Sequence, residues 1–177
     1  MPEIKIIKCG EGLIQSLTEL YDRVTKQLEE NINYPKWRHK EYPSEGTVRA
    51  GIASGTLYAL TEDGEPAGVF VLNDDPQGCY EKGDWSRDLK RGEYMVIHSL
   101  AVRPESQSMG YAGRMVEFAK ERAAFLGYRG VRVDVVPGNL PAQRLYERHG
   151  FGCAGEYDLE RGFDDIPAFI LYEYNLD

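Results

Sequence analysis

Apolar positions along this chain change their spacing several times, and each change marks an element. Over residues 13–30, Leu13, Leu17, Leu20, Val24 and Leu28 recur every three or four residues, which is one face of an amphipathic helix. The stretch Asn31 to Pro43 loses that period and carries Tyr34, Pro35, Trp37 and Tyr42, so it reads as an irregular or broken-helix segment. A short helix over Ser44 to Ser54 follows, with Ser44 as its N-cap. Leu57 to Glu62 and Ala67 to Leu72 are β-rich runs around Asp63-Gly64-Glu65-Pro66, the signature of a hairpin on an Asp-Gly turn. Residues 73–92 are polar and read as one long loop, a length that in compact domains usually signals function or disorder.

The second half alternates more regularly. Tyr94 to Val102 reads as a strand that Pro104 ends. A helix over Tyr111 to Leu126 keeps Ala112, Met115, Val116, Ala119, Ala123 and Leu126 to one side and stops at Gly127. Val131, Val133 and Val135 alternate in a strand that ends at Pro137-Gly138. Pro141 suits the first turn of a further helix and Gly150 its end. Phe151 to Leu159 and Ala168 to Asn175 read as a closing antiparallel pair joined by Glu160-Arg161-Gly162. With a short first strand at Ile4–Lys8, the order is β-α-α-β-β-β-α-β-α-β-β. The central β-α-β unit needs parallel neighbours and the hairpins need antiparallel ones, which predicts a mixed sheet with helices on both faces.

Composition narrows the class. At 177 residues with 42% hydrophobic and 28% charged positions, the chain is expected to form one soluble domain, 1–177, with a real core. No apolar run approaches the ~20 residues that span a bilayer. The start Met1-Pro2-Glu3-Ile4-Lys5 lacks a signal peptide's basic and apolar regions, so the expected location is cytoplasmic, with no membrane partner. A net charge of −8 argues against a nucleic-acid partner, which needs clustered Lys and Arg. It leaves room for a cationic acceptor such as an amine, and equally for a merely solubilising surface. Cys9, Cys79 and Cys153 form no Cys-x-x-Cys pair, and His39, His98 and His149 have no metal-ligand spacing. No metal and no disulfide framework are expected.

The most informative stretch is Gln107-Ser108-Met109-Gly110-Tyr111-Ala112, between the strand ending at Val102 and the helix beginning near Gly110. A loop feeding a helix N-terminus leaves backbone N–H groups without intrahelical partners. With the positive end of the helix dipole they make an anion site suited to phosphate. Gly110 and Ala112 keep side chains out of its way. The spacing matches neither Gly-x-Gly-x-x-Gly nor Gly-Lys-Ser/Thr, and small residues before a helix are also ordinary turn chemistry. About thirty residues later comes Asn139-Leu140-Pro141-Ala142-Gln143-Arg144-Leu145-Tyr146-Glu147-Arg148-His149-Gly150-Phe151.

This pair of segments resembles the GNAT superfamily of acyl-CoA-dependent N-acetyltransferases. Leu100-Ala101-Val102-Arg103-Pro104 followed by Gln107-x-x-Gly110-x-Ala112 is similar to the family's first pattern. Asn139, Ala142, Tyr146, Gly150 and Phe151 stand at the spacings of its second. Ser108 departs from a frequent family Gly but still offers its N–H. The resemblance implies an α/β (α+β) fold: a mixed, mostly antiparallel sheet of six to seven strands, whose central parallel pair, Tyr94–Val102 and Val131–Val136, splays apart to admit the cofactor's pantetheine arm. It implies acetyl-CoA as co-substrate and direct attack by a primary amine in a ternary complex.

The same resemblance assigns roles. Gln107, Ser108, Met109, Gly110, Tyr111, Ala112 and Gly113 would hold the pyrophosphate through backbone N–H groups. Leu100, Ala101 and Val102 would meet the pantetheine amides in the manner of an added strand, and Asn139, with Ala142 beside it, would bind the same arm. Tyr146 would protonate the departing thiolate; a phenol with pKa near ~10 suits that task, although its position beside Ala142 and Leu145 also fits a plain core aromatic. For the general base the residues leave His98, Glu93 or a bound water. A histidine's unperturbed pKa near ~6.5 would let His98 accept a proton at neutral pH, and His98 also fits a sheet-face residue beside Ser99. Arg144 and Arg148 read as solvated surface. The acceptor site is expected among Tyr34, Trp37, Tyr42, Tyr80, Trp85, Glu156, Tyr157 and Asp158, since aromatics with carboxylates suit an ammonium group but also anchor loops. The aromatic-rich loops favour a small-molecule amine over a protein N-terminus or lysine, and the intact motifs favour an enzyme over a non-catalytic acyl-CoA-binding domain. A homodimer on edge strands is compatible with such a fold.

Overall fold

The computed structural model describes residues 1–177. Its strands are β1 (Ile4–Lys8), β2 (Leu57–Glu62), β3 (Glu65–Asn73), β4 (Tyr94–Val102), β5 (Gly130–Val135), β6 (Gly152–Tyr157) and β7 (Phe169–Asn175). The helices are α1 (Ile14–Glu30), α2 (Glu45–Ser54), α3 (Tyr111–Phe125) and α4 (Leu140–Arg148). The strands hydrogen-bond in the order β1-β2-β3-β4-β5-β7-β6. One pair, β4–β5, is parallel, and its ladder runs over Tyr94↔Gly130, Met95↔Val131 and Val96↔Arg132. This is the mixed sheet the sequence predicts. The chain forms two compact units, Met1–Leu72 with His98–Met115, and Asn73–Ile97 with Val116–Asp177.

In the first unit the Asp-Gly signal produces its turn. Asp63 and Gly64 both take positive φ, 50° and 87°, the two left-handed positions that a two-residue hairpin of right-handed twist requires. β3 starts two residues earlier than predicted, at Glu65, and a register shift between Leu60 and Thr61 absorbs Pro66. Ser44 precedes α2 and its N–H donates to Thr47 Oγ1 at 3.1 Å, half of a capping box. Leu17, Leu20, Tyr21 and Val24 of α1 and Val48 of α2 pack on Leu57, Ala59, Val69, Val71 and Ala101. Period-two alternation turns Gly68 to the opposite face of β3, and there Met115 of α3 lies so near that an added Cβ would meet its Cε at 2.8 Å. Helices therefore cover both faces of this part of the sheet.

In the second unit the long loop is tied down rather than loose. The Arg132 guanidinium is sandwiched between the rings of Trp85, at 3.9 Å, and Tyr94, at 4.2 Å. It also donates to the Arg87 carbonyl at 3.0 Å. Tyr80 donates to Asp134 Oδ2 at 2.6 Å, and Arg161 reaches both oxygens of that carboxylate at 2.8 and 2.7 Å. Arg161 also donates to the carbonyls of Gln77 and Pro76. These bonds explain a difference from expectation. The connection between β6 and β7 is not a tight turn at 160–162 but an excursion over 158–168, which carries Arg161 to its partners.

Burial pushes the phenols of Tyr21, Tyr80, Tyr146 and Tyr172 above the ordinary tyrosine range, and the Cys9 thiol up to about 12. The folded state then keeps protons that the unfolded chain releases above about pH 9 for the thiol and about pH 10 for the phenols. Unfolded molecules bind fewer protons in that range, so stability present below pH 9 is lost as pH rises. Urea unfolding between pH 7 and 11 is expected to show a decline steepening by about 1.4 kcal/mol per pH unit for each group engaged. A stability that stays flat to pH 11 would contradict this burial.

Candidate active site

The first unit holds the loop that joins β4 to α3. Arg103 closes β4 by donating its N–H to the Ala67 carbonyl at 2.9 Å. Its guanidinium pairs with Glu62 and donates to Ser106 Oγ at 2.7 Å, with both ion-pair partners largely shielded from solvent. Arg23 of α1 grips Glu105 in the same turn at 3.0 and 2.5 Å. Gln107 then spends its side-chain amide inside the protein, donating to the Val102 carbonyl at 3.2 Å and to Gln27 Oε1 at 2.9 Å. The Gln thus braces the loop entrance and takes up the Val102 carbonyl.

Beyond Gln107 the backbone turns sharply. Ser108 and Gly110 have φ of 70° and 81°, with Met109 between them. The first intrahelical bond of α3 runs from the Arg114 N–H to the Gly110 carbonyl at 3.2 Å. The N–H groups of Tyr111, Ala112 and Gly113 precede it and have no intrahelical acceptor. Ser108, Met109 and Gly110 are exposed, and a Cβ added at Gly110 would meet nothing within 4 Å. The loop is therefore open to solvent where it enters a fifteen-residue helix.

Upstream on β4, His98 is buried, at 9% exposure. Ser99 beside it has φ of 53°. Ala101 is buried, while Leu100 and Val102 are half-buried. The segment between α1 and α2 reaches this strand: Tyr42 shares a 2.5 Å hydrogen bond with Ser99 Oγ. Tyr34 and Trp37 belong to the same segment, which is locally braced by Asn33, bonded to both the N–H and the carbonyl of Trp37. The left-handed turn at Ser99 has no local sequence signature, because serine lacks the freedom of glycine at positive φ.

The second unit holds the other motif. Asn139 caps α4, its Oδ1 accepting from the Ala142 N–H at 3.3 Å. That N–H is therefore spent within the protein, as is Asn139 Oδ1, and the Asn139 amide NH₂ takes no part in this cap. Leu145 and Tyr146 are the buried pair of the helix. The Tyr146 ring packs against Phe151 at 5.3 Å and Tyr172 at 6.4 Å between centroids. Its hydroxyl bonds to no protein group, yet it is not among the fully enclosed orphan atoms. Burial first, and the charge of Asp134 second, hold its pKa above the usual range, so it is fully protonated at neutral pH.

The remaining candidates separate on their partners. Glu93 accepts from the Lys90 N–H at 2.6 Å and from Arg129 at 3.3 Å. These bonds, the backbone one foremost, lower its pKa, which makes it a loop cap and a weaker base. Tyr80 and Trp85 are anchors, Trp85 donating to the Tyr80 carbonyl at 2.6 Å. Tyr157 donates to Asp84 at 2.6 Å, and Asp158 accepts from the Glu160 N–H at 2.8 Å. Arg144 and Arg148 are exposed. No group of three or more His, Cys, Asp or Glu side chains could hold a metal ion, and no helix is long and apolar enough to cross a membrane.

The model of the acetyltransferase (GNAT) family matches residues 15–151. The chain belongs to the GNAT family of acetyltransferases. Among curated proteins, no sequence matches it. Solved structures share its fold. A GNAT-family acetyltransferase of Streptococcus agalactiae is 18% identical, covers 98% of this chain and 96% of its own, and superposes with a TM-score of 0.79. Salmonella typhimurium yncA, solved with its cofactor acetyl-CoA, is 16% identical with a TM-score of 0.70, covering 99% and 95%. The Escherichia coli ribosomal-protein-S18-alanine N-acetyltransferase is 15% identical with a TM-score of 0.69, covering 99% and 95%.

Proposed function

We propose that this single-domain protein transfers the acetyl group of acetyl-CoA to the primary amine of a small molecule. The observation that carries the reading is the loop at 108–113, the cradle in this reading, since the Gln107 N–H is already taken by the Pro104 carbonyl. Its N–H groups precede the first bond of α3, and its backbone is open at Gly110. In a member of an acetyltransferase family, that is the feature an acyl-CoA pyrophosphate needs. The Salmonella typhimurium relative in fold, solved with acetyl-CoA, supports the choice of co-substrate.

In this reading Ser108 to Gly113 hold the pyrophosphate. Leu100, Ala101 and the Asn139 amide meet the pantetheine arm. His98 accepts the proton of the incoming ammonium. The neutral nitrogen then attacks the thioester carbonyl carbon and a C–N bond forms; the nitrogen, now positively charged, releases its second proton to solvent, and the C–S bond breaks as the tetrahedral intermediate collapses. Tyr146 gives its phenolic proton to the departing thiolate and regains one from solvent. The products are the N-acetylated amine and coenzyme A. The free Tyr146 hydroxyl supports the donor role, because no protein partner competes for its proton.

Support for a small acceptor comes from the aromatic segment 31–43. It is braced by Asn33 and bonded through Tyr42 to the residue beside His98. Together with a net charge of −8, this suits a cationic amine held against aromatic walls. Free-thiol release from acetyl-CoA should depend on an added small primary amine and yield its N-acetyl product by mass. Turnover only with peptide N-termini or lysines would move the acceptor to the protein class. Thiol release with no amine on a broad panel would remove the transferase reading.

A further inference from the structure

Ser99 interrupts β4 with a φ of 53°, in the left-handed region that a residue with a Cβ adopts only when its surroundings over-determine it. Two contacts do so. Tyr21 of α1, with 0% exposure, donates its hydroxyl to the Ser99 carbonyl at 2.7 Å. Tyr42, from the segment between α1 and α2, bonds to Ser99 Oγ at 2.5 Å. Two phenols from separate elements therefore hold the main chain and the side chain of one residue. Core packing alone does not call for this, because phenylalanine would fill the Tyr21 site among Leu17, Leu20 and Val24 equally well. The Tyr21 hydroxyl has its one bond to the carbonyl of the strained residue.

The left-handed turn takes the Ser99 carbonyl out of the strand's regular alternation and toward α1. It also sets the direction in which the N–H and C=O groups of the next residues point. We infer that Tyr21 and Tyr42 are positioning residues. By holding Ser99 in its left-handed turn, they aim the backbone of Leu100 and Ala101 at the acyl-CoA arm. This inference rests on the proposed function, which assigns those backbone groups to the pantetheine amides.

The test uses the conformational freedom of glycine. Tyr21→Phe keeps the ring and removes the hydroxyl. It should weaken acetyl-CoA binding about tenfold, roughly the worth of one part-buried hydrogen bond, with the amine KM unchanged. Ser99→Gly adopts the left-handed turn without strain and alone should stay within about twofold of wild type. Combined with Tyr21→Phe, it should recover most of the lost affinity. Tyr42→Phe, at a half-exposed site that leaves the core intact, should weaken binding in the same sense by about threefold, a fraction of one hydrogen bond. A purely structural Tyr21 would lower the melting temperature, leave acetyl-CoA affinity unchanged and gain nothing from Ser99→Gly; that pattern overturns the inference. So does a loss of affinity in Tyr21→Phe that Ser99→Gly fails to recover. Wild-type protein that binds no acetyl-CoA would instead remove the cofactor reading on which the inference stands.

Discussion

Replacing Tyr146 with Phe is expected to lower kcat by about 10²–10³-fold, the range for loss of one general acid, with acetyl-CoA affinity nearly unchanged. The two effects separate because of what surrounds the side chain. Its ring supplies the packing against Phe151 and Tyr172, and Phe retains that packing. Its hydroxyl has no protein partner, so removing it orphans no donor or acceptor, and the folded state should shift by less than about 0.5 kcal/mol. The raised pKa adds a pH signature. The acid stays loaded through the alkaline range, so the wild-type rate should show no fall attributable to Tyr146 below about pH 10. Steady-state kinetics at several pH values, with a melting curve of the variant, checks all three. Unchanged turnover in Tyr146→Phe would remove the residue as proton donor and leave it a core aromatic.

The second large effect is on binding. Gly110→Glu should reduce acetyl-CoA affinity by at least about 100-fold, since a carboxylate placed against an anion in the cradle costs several kcal/mol. A side chain at Gly110 meets no protein atom within 4 Å, so the variant is not excluded by packing. It does impose a left-handed φ of 81° on a residue with a Cβ, which costs on the order of 1–2 kcal/mol of stability. Gly110→Asn separates the terms, because Asn tolerates the left-handed region and carries no charge. It should keep most of the affinity that Gly110→Glu loses. Calorimetric titration of both variants decides the matter, and normal binding by Gly110→Glu would sink the cradle.

Local signals explain what could be read in advance. The Asp63-Gly64 turn, the Ser44 cap, the stops at Gly127 and Gly150 and the alternation of Val131, Val133 and Val135 each depend on neighbours a few residues away. Each of these elements formed within a residue or two of its expected bounds. The long-range bonds left no such trace. Tyr80, Trp85 and Tyr157 fit by sequence either an acceptor site or loop anchors, and their polar atoms bond to Asp134, the Tyr80 carbonyl and Asp84. Glu93, one of the three readings for the base, accepts from the Lys90 N–H of its own loop. Arg161 stood in an expected turn, and its attachment to Asp134 draws out the whole 158–168 connection. Tyr21 lies at helical spacing from Leu17 and Val24, a packing pattern that carries no sign of its hydroxyl's bond to Ser99, and Ser99 has no left-handed signature. A motif fixes residue types at intervals, whereas hydrogen-bond partners dozens of residues apart are set by the tertiary fold.

The measurement that bears most directly on the account is the thermal unfolding midpoint with and without acetyl-CoA. Ligand at one hundred times its dissociation constant stabilises the folded state by about 2.7 kcal/mol, which for a chain of this size raises the midpoint by about 5–10 °C. A shift of that order, absent with acetate alone and lost in Gly110→Glu, is the result the account predicts. A folded protein whose midpoint does not move at millimolar acetyl-CoA would contradict it, leaving a GNAT fold whose cradle serves some other anion or none.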